Sequence, residues 1–238
     1  MIKAFAAVLL SLVSLIGPGM KTESQAEKFV LPAEAAVLVT VEGRGGLDCD
    51  ICVYEKADSA EGNVWQLRMK ADGSCGTGGF SDHRTEGDGT TPVGVFLLNT
   101  PFGQKPAMEG FPSDYVQVDE SYVWTDTGNR LEKDVSLSGE RVGSRDYQGF
   151  YDYVLDMGYN RNAVKKKGSA LFIHCDGGVK GSAGCIHAPE ELMTALMKLY
   201  GKYGYGRCFI ALAPEGRMER IYDSFGVNNG LCPDGVVK

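Results

Sequence analysis

Leu171-Phe172-Ile173-His174, followed after a glycine-rich spacer by Ser182-Ala183-Gly184-Cys185-Ile186-His187, is the stretch on which the reading of this chain turns. A short apolar run ending in a polar residue predicts a buried strand. Such a strand would hold the His174 imidazole rigidly at its end. Gly184 lets the backbone turn sharply and brings its amides close to whatever sits above them. Cys185 stands eleven positions after His174, with small residues before it. A nearby histidine can activate a thiol and stabilise the thiolate, which is the attacking form. The pairing points to a cysteine acyl-transfer site.

Outward from this stretch the pattern is mainly β with one or two helices. Val37-Leu38-Val39-Thr40-Val41, Ile51-Cys52-Val53-Tyr54 and Val64-Trp65-Gln66-Leu67-Arg68-Met69 are strand-like runs separated by turn clusters, as in a meander. Pro92 and Gly94 in Thr91-Pro92-Val93-Gly94-Val95-Phe96-Leu97-Leu98 suit a bend entering an edge strand. Residues 101–150 are loop-rich with scattered aromatics. They read either as a substrate-shaping lid or as a loop whose aromatics seal the core. Residues 151–157 and 170–173 predict further strands and 208–213 a closing one. Pro189, Glu190 and Glu191 open a helix that runs to Tyr203, with Leu192, Ala195, Leu196 and Leu199 on one face.

At 238 residues the chain can bury one full domain with end segments. Its net charge of −7 and the lack of a basic stripe disfavour a nucleic-acid partner. Lys3 followed by an apolar stretch over 4–16, broken by Gly17-Pro18-Gly19, reads as an export signal too short to span a membrane comfortably. The expected organisation is a signal over 1–19 (cleavage as late as 26), a linker over 20–35, a catalytic domain over 36–214 and an extension over 215–238. An uncleaved signal anchor is the one membrane element considered. Export, to a periplasm or a cell wall, would place seven cysteines in an oxidising compartment. Six of them could pair around a free Cys185, with connectivity open. Cys49 and Cys52 have redox-motif spacing, but they enter an apparent strand rather than a helix start.

Arg84-Thr85-Glu86-Gly87-Asp88-Gly89-Thr90-Thr91-Pro92-Val93-Gly94-Val95-Phe96 resembles the charged turn and Thr-Pro-x-Gly-x-Phe segment of the YkuD family of L,D-transpeptidase catalytic domains. Ile173-His174 with Ser182-Ala183-Gly184-Cys185 resembles that family's His, spacer, Ser-x-Gly-Cys signature. The resemblance covers about 37–214 and implies a β-sandwich-like catalytic domain that acts on peptidoglycan stem peptides.

 A monomer working without cofactor or metal is what this resemblance leads one to expect. Carried onto this chain, Cys185 is the nucleophile and His174 the base, and the Gly184 and Cys185 amides are the oxyanion donors. Ser182, His187, Trp124 and Asp126 are the expected substrate-binding residues. Three departures from the family pattern stand out: the His-to-Cys spacing is short, Ala183 replaces a frequent second His, and His187 replaces a usual Arg or Asn.

Two readings of other classes compete. His174, Cys175, Cys185 and His187 supply the ligand types of a structural zinc site, although His174 and Cys175 should point to opposite faces of a strand. An inactive wall-binding module is the other.

Overall fold

Consecutive apolar residues in Val37-Leu38-Val39 and Phe209-Ile210-Ala211-Leu212 mark strands covered on both faces. The computed structural model, which describes residues 14–15, 25–59 and 62–225, makes these two strands parallel neighbours. β1 (Val37–Gly43), β2 (Asp48–Ser59) and β3 (Gly62–Ser74) form the expected antiparallel meander. β4 (Gly94–Leu97), β5 (Asn99–Gly103), β6 (Val116–Gln117), β7 (Val154–Asp156), β8 (Phe172–Cys175), β9 (Ile186–Ala188) and β10 (Cys208–Ala213) complete the main sheet. The order is β4-β10-β1-β2-β3-β9-β8-β7-β5-β6, and the backbone of Ser14–Leu15 pairs beside Met69 and Lys70 of β3. β4 lies at the sheet's end, where Pro92 and Gly94 placed it.

The sheet has a meander half and a site half, joined thinly. β9 meets β3 at one pair, His187 with Ser74, and an isolated bridge between Gly76 and Ser182 reinforces the join. Alternation along β1 and β10 sends Val37, Val39, Val41, Ile210 and Leu212 into the larger core. Leu38, Phe209, Ala211 and Ala213 face a second, smaller core on the other side. The single α-helix among the described residues, α1 (Glu190–Tyr203), lays Leu192, Met193, Leu196, Met197 and Tyr200 on the larger core. Lys105 fastens its first turn, bonding Glu190 at 2.7 Å and Asp152 at 3.0 Å. No helix among the described residues is long and apolar enough to cross a membrane.

The expected linker and extension need correction. Residues 25–35 are packed: Ala26, Phe29 and Ala35 are buried in the smaller core with Met218 and Ile221 from the far end of the chain. The Phe29 and Tyr222 rings meet edge to face at 4.8 Å, and the Val30 amide donates to the Tyr222 carbonyl. The outer face of β1 and β10 is apolar and must be covered, and these two end segments cover it together. The expected signal, apart from Ser14–Leu15, and the tail from 226 lie outside the described residues.

If 25–35 belongs to the folded domain, Phe29→Ala should lower the unfolding free energy by about 3 kcal/mol. Denaturant melts of the two proteins check this; a loose linker would leave the midpoint unchanged.

Candidate active site

β8 and β9 are adjacent and parallel, with His174 opposite His187 and Ile173 opposite Ile186. Residues 176–185 must therefore carry the chain back along the sheet within a very short loop. Gly177, Gly178, Gly181 and Gly184 all take positive φ in this return. At Gly184 (φ 136°) a Cβ would also stand 2.5 Å from Arg84 Nη1 and 2.6 Å from the Thr90 carbonyl oxygen, so only glycine fits.

The charged turn of the second signature segment holds this loop from below. Arg84 is buried, and its Nη1 donates to the carbonyl oxygens of Thr90 and Ala183, the latter at 3.2 Å. Its Nε has no hydrogen-bond partner among the described residues. Asp88 pairs with Nη1 at 3.4 Å and accepts from the Thr85 and Thr90 amides. These bonds, opposed by burial, hold the Asp88 carboxyl well below its ordinary value. Thr91 Oγ1 donates to the Gly184 carbonyl at 3.0 Å and accepts from the Gly76 amide at 2.9 Å. The two signature segments, distant in sequence, are thus one hydrogen-bonded unit.

Above this unit lies a cleft of ≈ 320 Å³ with Cys185, His174, His187 and Ser182 in its lining. The opposite wall comes from residues 140–151, chiefly Glu140, Tyr147, Phe150 and Tyr151. Cys185 Sγ accepts from the Phe172 amide at 3.3 Å and donates to the Ala170 carbonyl at 3.4 Å. Among the described residues no hydrogen bond joins it to His174. Burial pushes the thiol up to about 12, with the Glu140 carboxylate adding to the rise and the Phe172 amide and Arg84 opposing it.

His174 Nδ1 lies 2.8 Å from the Cys175 carbonyl oxygen, so that nitrogen carries the proton and Nε2 is left as the basic one. Burial pushes the imidazole down to about 3, helped by His187 and resisted by the Cys175 and Phe150 carbonyls. The resting pair is a neutral thiol and a neutral imidazole. The backbone carbonyl of Cys175 orients the histidine, a role that sequence cannot assign.

The other expected site residues divide. His187 is buried on β9, its ring 4.7 Å from that of His174, with Nδ1 donating to the Val179 carbonyl at 3.1 Å. Ser182 lines the cleft, but its hydroxyl donates to the Cys185 carbonyl at 2.7 Å and accepts from the Gly184 amide at 3.0 Å. The Gly184 amide is therefore engaged within its own loop rather than aimed at a substrate oxygen. Trp124 is corrected outright: it is 1% exposed, stacks on Phe102 and bonds Asn129, because its strand (Val123–Thr125) turns the indole into the core. Asp126 is exposed and stands behind the cleft, accepting from Ser169, which does line it.

The four ligand types of the zinc reading do not converge. Cys175 Sγ points to the Tyr153 carbonyl on the other face of β8, and the described residues hold no group of three metal-ligating side chains. Cys49 and Cys52 lie within β2 at an odd separation and face opposite sides. The six described cysteines are all free thiols, and Cys232 lies outside the described residues. Within the loop-rich stretch Trp124 seals the core, while Tyr147 and Phe150 line the cleft. Glu140 carries no distinguishing sequence signal, whereas Arg84 sits inside a signature segment and its burial was the missing fact.

The family model described as YkuD, L,D-transpeptidase catalytic domain, matches residues 57–202. Among solved structures, the helical cell shape determining protein Pgp2 from Campylobacter jejuni is similar at 16% identity with a TM-score of 0.36. The match covers 79% of this chain and 52% of that one, so this chain spans about half of its length. No curated protein matches the chain.

A neutral resting thiol makes a kinetic prediction. Alkylation of Cys185 by iodoacetamide should rise about tenfold per pH unit from about pH 6 to 9, because the thiolate fraction does; a plateau below pH 7 would mean a preformed thiolate. Arg84→Met should slow alkylation several-fold at any pH in that range, and Arg84→Lys should restore part of the rate.

Proposed function

The chain belongs to the YkuD family of L,D-transpeptidase catalytic domains, and from that membership we propose that it cross-links peptidoglycan stem peptides through an acyl-enzyme on Cys185. The observation that carries the reading is one cleft holding His174, on β8, and Cys185, the last loop residue before β9, with Nδ1 turned to the Cys175 carbonyl so that Nε2 is the nitrogen left to accept a proton.

A donor stem enters the cleft and Sγ turns from the Ala170 carbonyl toward the scissile carbonyl carbon. The Sγ–H proton passes to His174 Nε2 as the Sγ–C bond forms. Oxyanion charge falls to amides of the Cys185 loop, which requires Gly184 to release Ser182 Oγ. The C–N bond then breaks, and the departing terminal D-residue takes the proton from Nε2 as its amine leaves. An amine of a neighbouring stem attacks the thioester, loses its proton to His174 and regenerates the thiol. Water in place of that amine would give carboxypeptidase trimming by the same steps. The burial of both partners supports proton transfer on attack rather than a standing ion pair.

This activity belongs outside the cytoplasmic membrane, in a periplasm or a wall, with no cofactor in any step. Incubation with tetrapeptide-bearing muropeptides should yield dimers of the mass of a cross-linked pair. Tripeptide monomers alone would reassign the enzyme to trimming. Cys185→Ala should abolish both products, and His174→Ala should lower the rate by about 10⁴-fold. Undiminished turnover by Cys185→Ala would sink the proposal, as would failure of any chain variant to trap a thioester.

A further inference from the structure

A second cavity, ≈ 400 Å³ and sharing no lining residue with the cleft, opens where the end of α1 meets β2 and β3. At its centre is Glu55, a carboxylate only 7% exposed. Arg68 Nε donates to its Oε2 at 2.7 Å, while Lys202 Nζ and the Tyr203 hydroxyl donate to Oε1 at 2.8 and 2.7 Å. Burial would raise this carboxyl, but the Lys202 and Tyr203 bonds with Arg68 beside them hold it below its ordinary value. Glu55 is fully engaged and stays ionised.

The cavity holds more positive charge than Glu55 neutralises. Lys56 and Arg207 also line it, and neither has an acidic partner among the described residues. Each is held in place by neutral partners. Arg207 Nε donates to the Glu34 carbonyl at 2.9 Å, and its guanidinium lies 5.2 Å from the Tyr203 ring centre. Lys56 Nζ donates to the Ala33 carbonyl at 3.3 Å and lies over Trp65 at 5.8 Å. Four cations thus surround one carboxylate in a chain whose net charge is −7. Among the described residues Arg68 and Arg207 both bond through Nε, which leaves their paired Nη donors for the fork geometry that suits phosphate oxygens. Alanines at 33, 35, 36 and 57 line the rest and keep the space open.

We propose that this cavity is a binding site for a phosphate-bearing anion. Surplus charge of about three fits a di- or pyrophosphate group better than one carboxylate. The site does not depend on the acyl-transfer reading, because Cys185 is not part of it.

Isothermal titration of the full chain with inorganic pyrophosphate at fixed ionic strength tests it, with citrate as the carboxylate arm. One saturable site is expected, with citrate bound more weakly. The double variant Lys56→Gln/Arg207→Gln removes only groups outside the Glu55 bonds, so it should fold as the parent, checked by its melting midpoint. It should bind pyrophosphate at least about tenfold more weakly, as expected when charge-assisted donors are lost. Absence of saturable binding, or unchanged affinity in the folded variant, would overturn the site; citrate binding as tightly as pyrophosphate would overturn the phosphate assignment. Cys185→Ala should bind pyrophosphate like the parent, which separates this result from any failure of catalysis.

Discussion

The parallel pairing of β8 with β9 is the constraint from which the site follows. Parallel neighbours normally need a crossover of a dozen residues or more, commonly through a helix. Here residues 176–185 make the return alone, and the cost falls on the backbone, which takes positive φ at four glycines. A loop that tight cannot satisfy its own carbonyl groups. Those of Ala183 and Gly184 are met from outside, by Arg84 and Thr91. The Thr-Pro segment is therefore half of the support for the cysteine loop.

The same tightness explains the electrostatics of the cleft. A loop held from below and walled by Phe150 and Tyr151 leaves little room for water around Sγ. Dehydration then disfavours the thiolate and the imidazolium alike. Glu140, receiving a hydrogen bond from the Tyr151 hydroxyl, adds negative charge on the far wall and opposes the thiolate further. Arg84 acts in the other direction from beneath. A thiol kept protonated at rest is slow in stray thiol chemistry, which matters for a chain carrying six other cysteines.

Much of this was legible in the sequence where local pattern decides structure. β10 was expected over 208–213 and is found there, because six successive apolar or small residues leave no other reading. α1 was expected from Pro189 to Tyr203 and starts at Glu190, since Pro189 supplies the N-cap. The aromatic wall is not resolvable from sequence: Trp124 and Tyr147 carry the same composition signal, yet the small sheet pairing Val123–Thr125 with Gly139–Glu140 holds Trp124 in the core while Tyr147 lines the cleft. Packing of 25–35 was missed because Ala26 and Phe29 are too few to show periodicity; the apolar outer face of β10 recruits them. Cys185 and His174 were legible as chemistry, whereas the engagement of the Gly184 amide by Ser182 depends on loop geometry that no spacing encodes.

His187 shows why a departure at one position can change more than a contact. The family pattern suggests an Arg or Asn there, which reads as an altered substrate-binding side chain. In register on adjacent strands, however, the residue at 187 stands beside His174, with ring centres 4.7 Å apart. A permanent cation reaching no further than this ring would oppose an imidazolium at His174, the species that the proposed proton transfer from the thiol would create. A histidine whose Nδ1 proton is held by the Val179 carbonyl, and which burial keeps neutral, exerts far less of that opposition. Protonation of His187 would disfavour protonation of its neighbour His174. In the folded chain the residue at 187 lines the cleft and also sets the environment of His174, so a change there bears on both.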